Sequence, residues 1–170
     1  MTIDNPIEML THEHRYILKV VHGLSVIDEQ LNRNVPVDVE RIQRAIQFMR
    51  NFADKCQHAK EESVLFPAME EKGVPTTGCP LGALRAEHEK GRKIVTALKE
   101  AADAYTAGNI DAVENLRTAI AEIRQLYPSH IWKEDEMAFP MAQRLFTHDE
   151  LIRLKVDFDA AESEYGADHD

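Results

Sequence analysis

A chain of 170 residues can bury one substantial core, and 44% hydrophobic with 29% charged residues is the balance of an ordinary soluble domain. The net charge of −10 argues against nucleic acid or an anionic membrane as partner, because both need a basic surface. Two cysteines are too few for a disulfide scaffold, no apolar run approaches the ~20 residues of a membrane span, and "MTIDNPIEML" lacks the basic and apolar parts of a secretion signal, so a cytoplasmic protein is expected.

Helical periodicity runs through the chain, and strand alternation is nearly absent. The first helix is predicted from about Pro6 to Leu31, with Leu10, Ile17, Val21, Leu24 and Leu31 on one face. "NRNVPVD" ends it, and Asp38 can cap a second helix that turns Ile42, Ile46, Met49 and Ala53 inward and continues past His58 towards Pro67. "KGVPTTGCPLG" reads as a loop. The third helix, about Leu81 to Thr106, buries Leu84, Val95, Leu98 and Tyr105. After the turn "AGNID", the fourth runs from about Asp111 to Phe146, with Val113, Leu116, Ile120, Ile123, Met141 and Leu145 inside. "DELIRLKVDFDAAESEY" predicts a short amphipathic helix across one end, His148 contributing to its cap, with His169 in an acidic tail beyond. The expected fold is all-α: an antiparallel up-down-up-down four-helix bundle in a single domain over 1–170, its core about 8–146 and its C-terminal helix about 149–165.

Several positions that should be apolar are not. At about 100° per residue, His14 falls in line with Leu10, Ile17, Val21 and Leu24. His88 lies with Leu84, Val95 and Leu98; His130 continues Ile120, Ile123 and Tyr127, with Glu134 one turn on. One inward histidine is usually a hydrogen-bonded core residue. Several facing a common axis beside a buried carboxylate are another matter, since one unpaired buried charge costs several kcal/mol out of the ~5–15 that hold a domain. Metal coordination offsets several such costs together.

The phrase "HAKEESVLFP" at His58 repeats in "HIWKEDEMAFP" at His130, and the repeat is imperfect. Aligned on Phe66-Pro67 and Phe139-Pro140, Glu61 matches Glu134, while Gln57 rather than His58 matches His130. The apolar phase likewise turns Gln57 and Glu61 inward and His58 outward. Either a one-residue bulge brings His58 and Glu62 round, or His58 binds from the edge with Glu61 beside it. Glu61 is the preferred carboxylate and Glu62 its rival, with Gln57 a neutral group lining the pocket.

Imidazole mixed with carboxylate and no inward thiolate pair suits iron or manganese better than structural zinc. His14 in "EHRYI", the His58 phrase, His88 in "EHEKGR" and the His130 phrase together resemble the hemerythrin-like (HHE cation-binding) family over about residues 8 to 145. The resemblance implies two non-haem iron ions, oxo- or hydroxo-bridged, held by His14, His58, Glu61 or Glu62, His88, His130 and Glu134, with the carboxylates bridging. Oxygen-carrying members use five histidines, one of them where this chain has Arg92, and many bacterial relatives have His-His where it has Gln57-His58. The fifth donor is thus open among His22, Tyr127 and an unfilled position. An unfilled position favours reaction with O2, NO or peroxide over simple carriage. The expected function is binding or reaction of such a small molecule, as in a peroxide- or NO-reactive oxidoreductase; the alternative is iron storage, delivery or sensing without catalysis. A monomer or homodimer is expected.

Overall fold

The computed structural model describes residues 5–166, which are helical apart from short connections and contain no strand. His169 lies outside the described residues. Helix α1 (Pro6–Asn32) starts at Asn5, whose side chain accepts a hydrogen bond from the Ile7 backbone N–H at 2.9 Å, and Pro6 in the first turn has no N–H to leave unpaired. Helix α2 (Val39–Phe48) is capped by Asp38, which accepts from the Glu40 N–H at 3.0 Å. It continues without a break through π-helical segments Met49–His58 and Glu61–Leu65 into α3 (Phe66–Glu71). Helix α4 spans Leu81–Thr106; α5 (Ala112–Lys133) passes through a third π-helical segment, Glu134–Ala138, into α6 (Phe139–Leu145). Helix α7 (His148–Gly166) closes the chain.

The cap of α7 differs from expectation. Thr147 and Glu150 form it reciprocally: Thr147 Oγ1 accepts from the Glu150 N–H at 3.3 Å, and Glu150 accepts from the Thr147 N–H at 2.8 Å. His148 is exposed.

Contacts link α1 to α2 and α5, and α4 to α2 and α5, so the long helical segments form a closed ring; α7 lies across α1 and both π-helical segments of the second. Two apolar clusters fill the interior. One holds Ile17, Leu24, Ile46, Leu98, Ile120 and Ile123; the other holds Leu10, Phe66, Leu84, Phe139, Ala142 and Phe158. Along α1 and α4 the chain passes from the second cluster to the first, and along the other two from the first to the second. In each case the crossing point carries the polar residues: His14, Gln57 to Glu61, His88, and His130 to Glu134.

Met141 and Leu145, expected inside, are only partly buried, whereas Ala142 and Phe146 are buried. The cause is the π-helical turn before them. Its i→i+5 bonding inserts an extra residue per turn and moves the inward face on by one position. Tyr105 and Val113, near helix ends, are also only partly buried. Among the described residues, no helix is long and apolar enough to cross a membrane.

Candidate metal centre

The π-helical stretch Met49–His58 resolves the awkward phase of the second helix, since Gln57 and His58 are both buried. A normal α-helix would turn one of these neighbours outward; the wider turn keeps both at the core. Glu61 is fully buried, whereas Glu62 sits at the rim, about a quarter exposed.

Six of the seven predicted donors converge. His88 Nε2 and His130 Nε2 stand 3.0 Å apart, and one oxygen of Glu134 lies 3.1 Å from His130 Nε2 and 3.6 Å from His88 Nε2. The other oxygen of Glu134 is 3.0 Å from His14 Nε2. Glu61 repeats the arrangement, with Oε2 at 3.2 Å from His88 Nε2 and Oε1 at 2.6 Å from the Gln57 amide, which itself lies 2.8 Å from His14 Nε2. The His58 ring stacks on His88 at 3.8 Å between centroids, and a nitrogen from each of His58, His88 and His130 falls within 4.8 Å of the others. Each carboxylate therefore gives one oxygen to the three-histidine side and one to the His14 side.

Each histidine has a carboxylate behind it; of these four, sequence reasoning singled out only Glu62, and as a rival metal ligand rather than a support. Asp135 lies 2.8 Å from His14 Nδ1, Glu62 2.7 Å from His88 Nδ1, Glu87 2.9 Å from His130 Nδ1, and Asp54 3.5 Å from His58 Nδ1. At His14, His88 and His130 such contacts fix the tautomer, leave the inner nitrogen's lone pair free, and raise its basicity; His58 Nδ1 makes no hydrogen bond to Asp54. Three of them cross between neighbouring helices. Arg92 braces the rim, donating to Asp54 at 2.8 Å and to Glu62 at 2.9 Å. Against the upward push of burial, the His88 and Arg92 contacts hold the Glu62 carboxyl down to about 2.

The metal-free cluster is electrostatically costly. Burial pushes the histidines towards the neutral form, yet Asp135 and Glu134 outweigh it at His14 and carry that group up to about 10. Glu134 with Glu87 likewise takes His130 to about 9 against burial. His58, fully enclosed and beside His88, falls to about 4 and is neutral. Burial, then the charge of Glu134, raises Glu61 to about 7. Glu134 is driven low by His130, His14 and His88 despite its burial.

Distance alone would make the central imidazole–carboxylate contacts hydrogen bonds, and geometry denies it. Glu61 Oε2, both oxygens of Glu134 and Gln57 Oε1 are buried without a hydrogen-bond partner. The imidazole nitrogens come close but do not aim their N–H bonds at these oxygens. For metal–nitrogen bonds of about 2.1 Å, adjacent donors at right angles stand about 3.0 Å apart, which is the His88–His130 spacing. Orphaned oxygens at coordination-edge distances fit a cation between them.

The sequence matches the family model of the hemerythrin HHE cation binding domain over residues 5–142. The chain belongs to that family. No curated protein shows significant similarity to it. In this hemerythrin HHE domain the Glu61, His88, His130 and Glu134 donors could hold a metal ion, as could His58 with His88 and His130.

The remaining candidates fall elsewhere. His22 is exposed on the outer face of α1, with no route to the centre. Tyr127 is buried, its ring 6.4 Å from that of His58, and a Cβ on Gly91 would come within 3.1 Å of its hydroxyl. Gly91 thus makes room for Tyr127. A cavity of about 200 Å³, lined by Asp54, His58, Arg92, Val95, Thr96 and Tyr127 among others, reaches the three-histidine side.

Sequence reasoning also missed Lys60, a fully buried lysine. Its ammonium donates to Glu13 at 2.5 Å and to Glu162 of α7 at 2.6 Å. Burial disfavours its charge, and the two carboxylates more than restore it. Glu13, Cys56 and Glu162 lie close enough to share a cation; that cation is Lys60. The Cys56 thiol is pushed up to about 11, chiefly by burial, and is inert.

Proposed function

We propose that the chain is a non-haem di-iron protein that binds or reacts with a small molecule, O2, NO or peroxide, inside an antiparallel up-down-up-down bundle. The carrying observation is the pair of fully buried carboxylates, Glu61 and Glu134, each presenting one oxygen to either side of the cluster. Glu134 has both oxygens, and Glu61 its Oε2, without a hydrogen-bond partner, which is more bare acceptor than a single ion would need. The alternation of the two apolar clusters along successive helices supports the topology.

His58, His88 and His130 would hold one iron and His14 the other, with Glu61 and Glu134 shared. Bound there, the irons supply Lewis acidity and redox chemistry. The chain's own part is positional. Asp135, Glu62 and Glu87 hold the His14, His88 and His130 rings so that their inner nitrogens converge. Phe139, stacked on His14 at 5.4 Å, and Phe66, 6.0 Å from His88, keep water from the lower side. The cavity at His58 is large enough for a diatomic molecule or peroxide and too small for most metabolites.

The test is iron content with the visible spectrum of protein purified from its own cells, before and after azide, peroxide or NO. Two irons per chain and a spectrum altered by at least one of these reagents are expected. Iron lost to a mild chelator with the fold intact and no spectral response would replace this reading with iron storage or delivery. One ion or none per chain, after iron loading, would refute it.

A further inference from the structure

The two sides of the cluster are not equivalent. On one side three imidazoles meet the carboxylate oxygens. On the other there is one imidazole, His14, and the place beside it is taken by Gln57. This glutamine is wholly buried, 2.6 Å from Glu61 and 2.8 Å from His14 Nε2, and its carbonyl oxygen has no hydrogen-bond partner. Placing a primary amide in a core and leaving its acceptor bare costs about 1–3 kcal/mol. His14 Nδ1 is already engaged by Asp135, so Nε2 is the nitrogen that faces the amide. A half-turn of the amide exchanges its nitrogen and oxygen with little change of shape, and it then presents the bare oxygen beside His14 Nε2.

We infer that Gln57 is a metal ligand through its amide oxygen at the His14 position, making that position oxygen-rich, harder and weaker than the three-histidine position. This rests on the two-metal reading above and adds to it which position fills last and for which ion. Imidazole-rich sites favour iron and later transition metals, whereas carboxylate and carbonyl oxygens suit manganese. The three-histidine position therefore fills first. The His14 position exchanges more readily and accepts manganese beside a resident iron. Its donors would be His14, Gln57 and one oxygen from each of Glu61 and Glu134.

The test uses the full chain, stripped of metal and equilibrated anaerobically with Mn²⁺ by dialysis over a range of free concentrations, with bound metal counted by elemental analysis. Wild type should bind two ions in two steps separated by about tenfold or more, the scale on which even outer-shell partners change affinity. Gln57→His should tighten the second step until the two merge. Gln57→Leu, close in size, should keep the first ion and lose the second, while circular dichroism of the metal-free protein stays unchanged. Two ions bound by wild type in a single step, or a second step unmoved by either substitution, would overturn the inference and leave the two-metal reading standing. A single ion in wild type and in Gln57→His alike would overturn both.

Discussion

Loading the cluster with metal should release protons, in a number that follows from the geometry. Coordination requires every inner nitrogen to be deprotonated and both carboxylates to be ionised. In the metal-free protein His14, carried up to about 10 by Asp135 and Glu134 against burial, is protonated at pH 7. His130, at about 9, and His88, raised well above its ordinary value, also favour protonation. Their Nε2 atoms face each other at 3.0 Å, too close for two N–H bonds, so that pair keeps one inner proton between them. Glu61, at about 7, is half protonated, and His58, at about 4, is already neutral. The sum is about two to three protons released per chain at pH 7. The overall two-ion constant should then rise about a hundred- to a thousandfold per pH unit near neutrality. Titration calorimetry in buffers of different ionisation enthalpy reads the number directly. Release of fewer than one proton, or affinity indifferent to pH between about 6 and 8, would refute the electrostatic account of the cluster.

The metal-free protein should itself lose thermal stability as the pH rises. His14 and His130 contribute fully below the unfolded histidine value of about 6.5, and that contribution disappears as the pH passes through about 9 to 10; a melting temperature flat from pH 7 to 10 would contradict this. Glu62→Gln should keep both metals while weakening their binding about 10–100-fold, as for an outer partner, whereas Glu61→Gln should abolish the two-metal state; equal effects in metal analysis would mean the roles are misassigned. Lys60→Ala should lower unfolding free energy in urea by about 3–5 kcal/mol by leaving the buried Glu13 carboxylate unpaired, and a change below about 1 would show it to be solvated. Gly91→Ala should push the Tyr127 hydroxyl outward and perturb its fluorescence or absorbance, with destabilisation of about 1–3 kcal/mol from overpacking; an unchanged protein would mean that the space is not needed.

Much of this was legible from sequence because two signals are strong. Apolar spacing places α1 and α4 almost to the residue, and Asp38 announces the start of α2 by its chemistry. His14, His88, His130 and Glu134 stand out because each interrupts an apolar face with a costly polar group. The clash of phase at Gln57-His58 offered a bulge in the second helix as one of two readings, but the extent of the π-helical segments, and the one before Phe139 altogether, were not legible, since wider turns leave no composition cue and the phase count assumes 100° per residue. That is why His58 read as an edge residue and Met141 and Leu145 as core. The outer carboxylates were hidden differently. Glu87 and Asp135 each sit beside a central residue in sequence and look like solvated neighbours, and Glu62 reads as a rival ligand, yet each supports a histidine on another helix. A signal was available: an acid immediately flanking an inward donor occurs three times, as Glu61-Glu62, Glu87-His88 and Glu134-Asp135.

The family match stops at residue 142, ahead of α7, and a boundary drawn there would cut through an electrostatic clasp. Lys60 follows directly on the turn that aims Gln57 and His58, and half of its counter-charge comes from Glu162, a hundred residues downstream. Trimming the chain to the matched segment would leave that ammonium facing Glu13 alone, one position from Glu61. The terminal helix therefore braces, through Lys60, the turn that brings the second helix's polar residues to the cluster, and a version of this protein shortened at residue 142 would give up half of that brace.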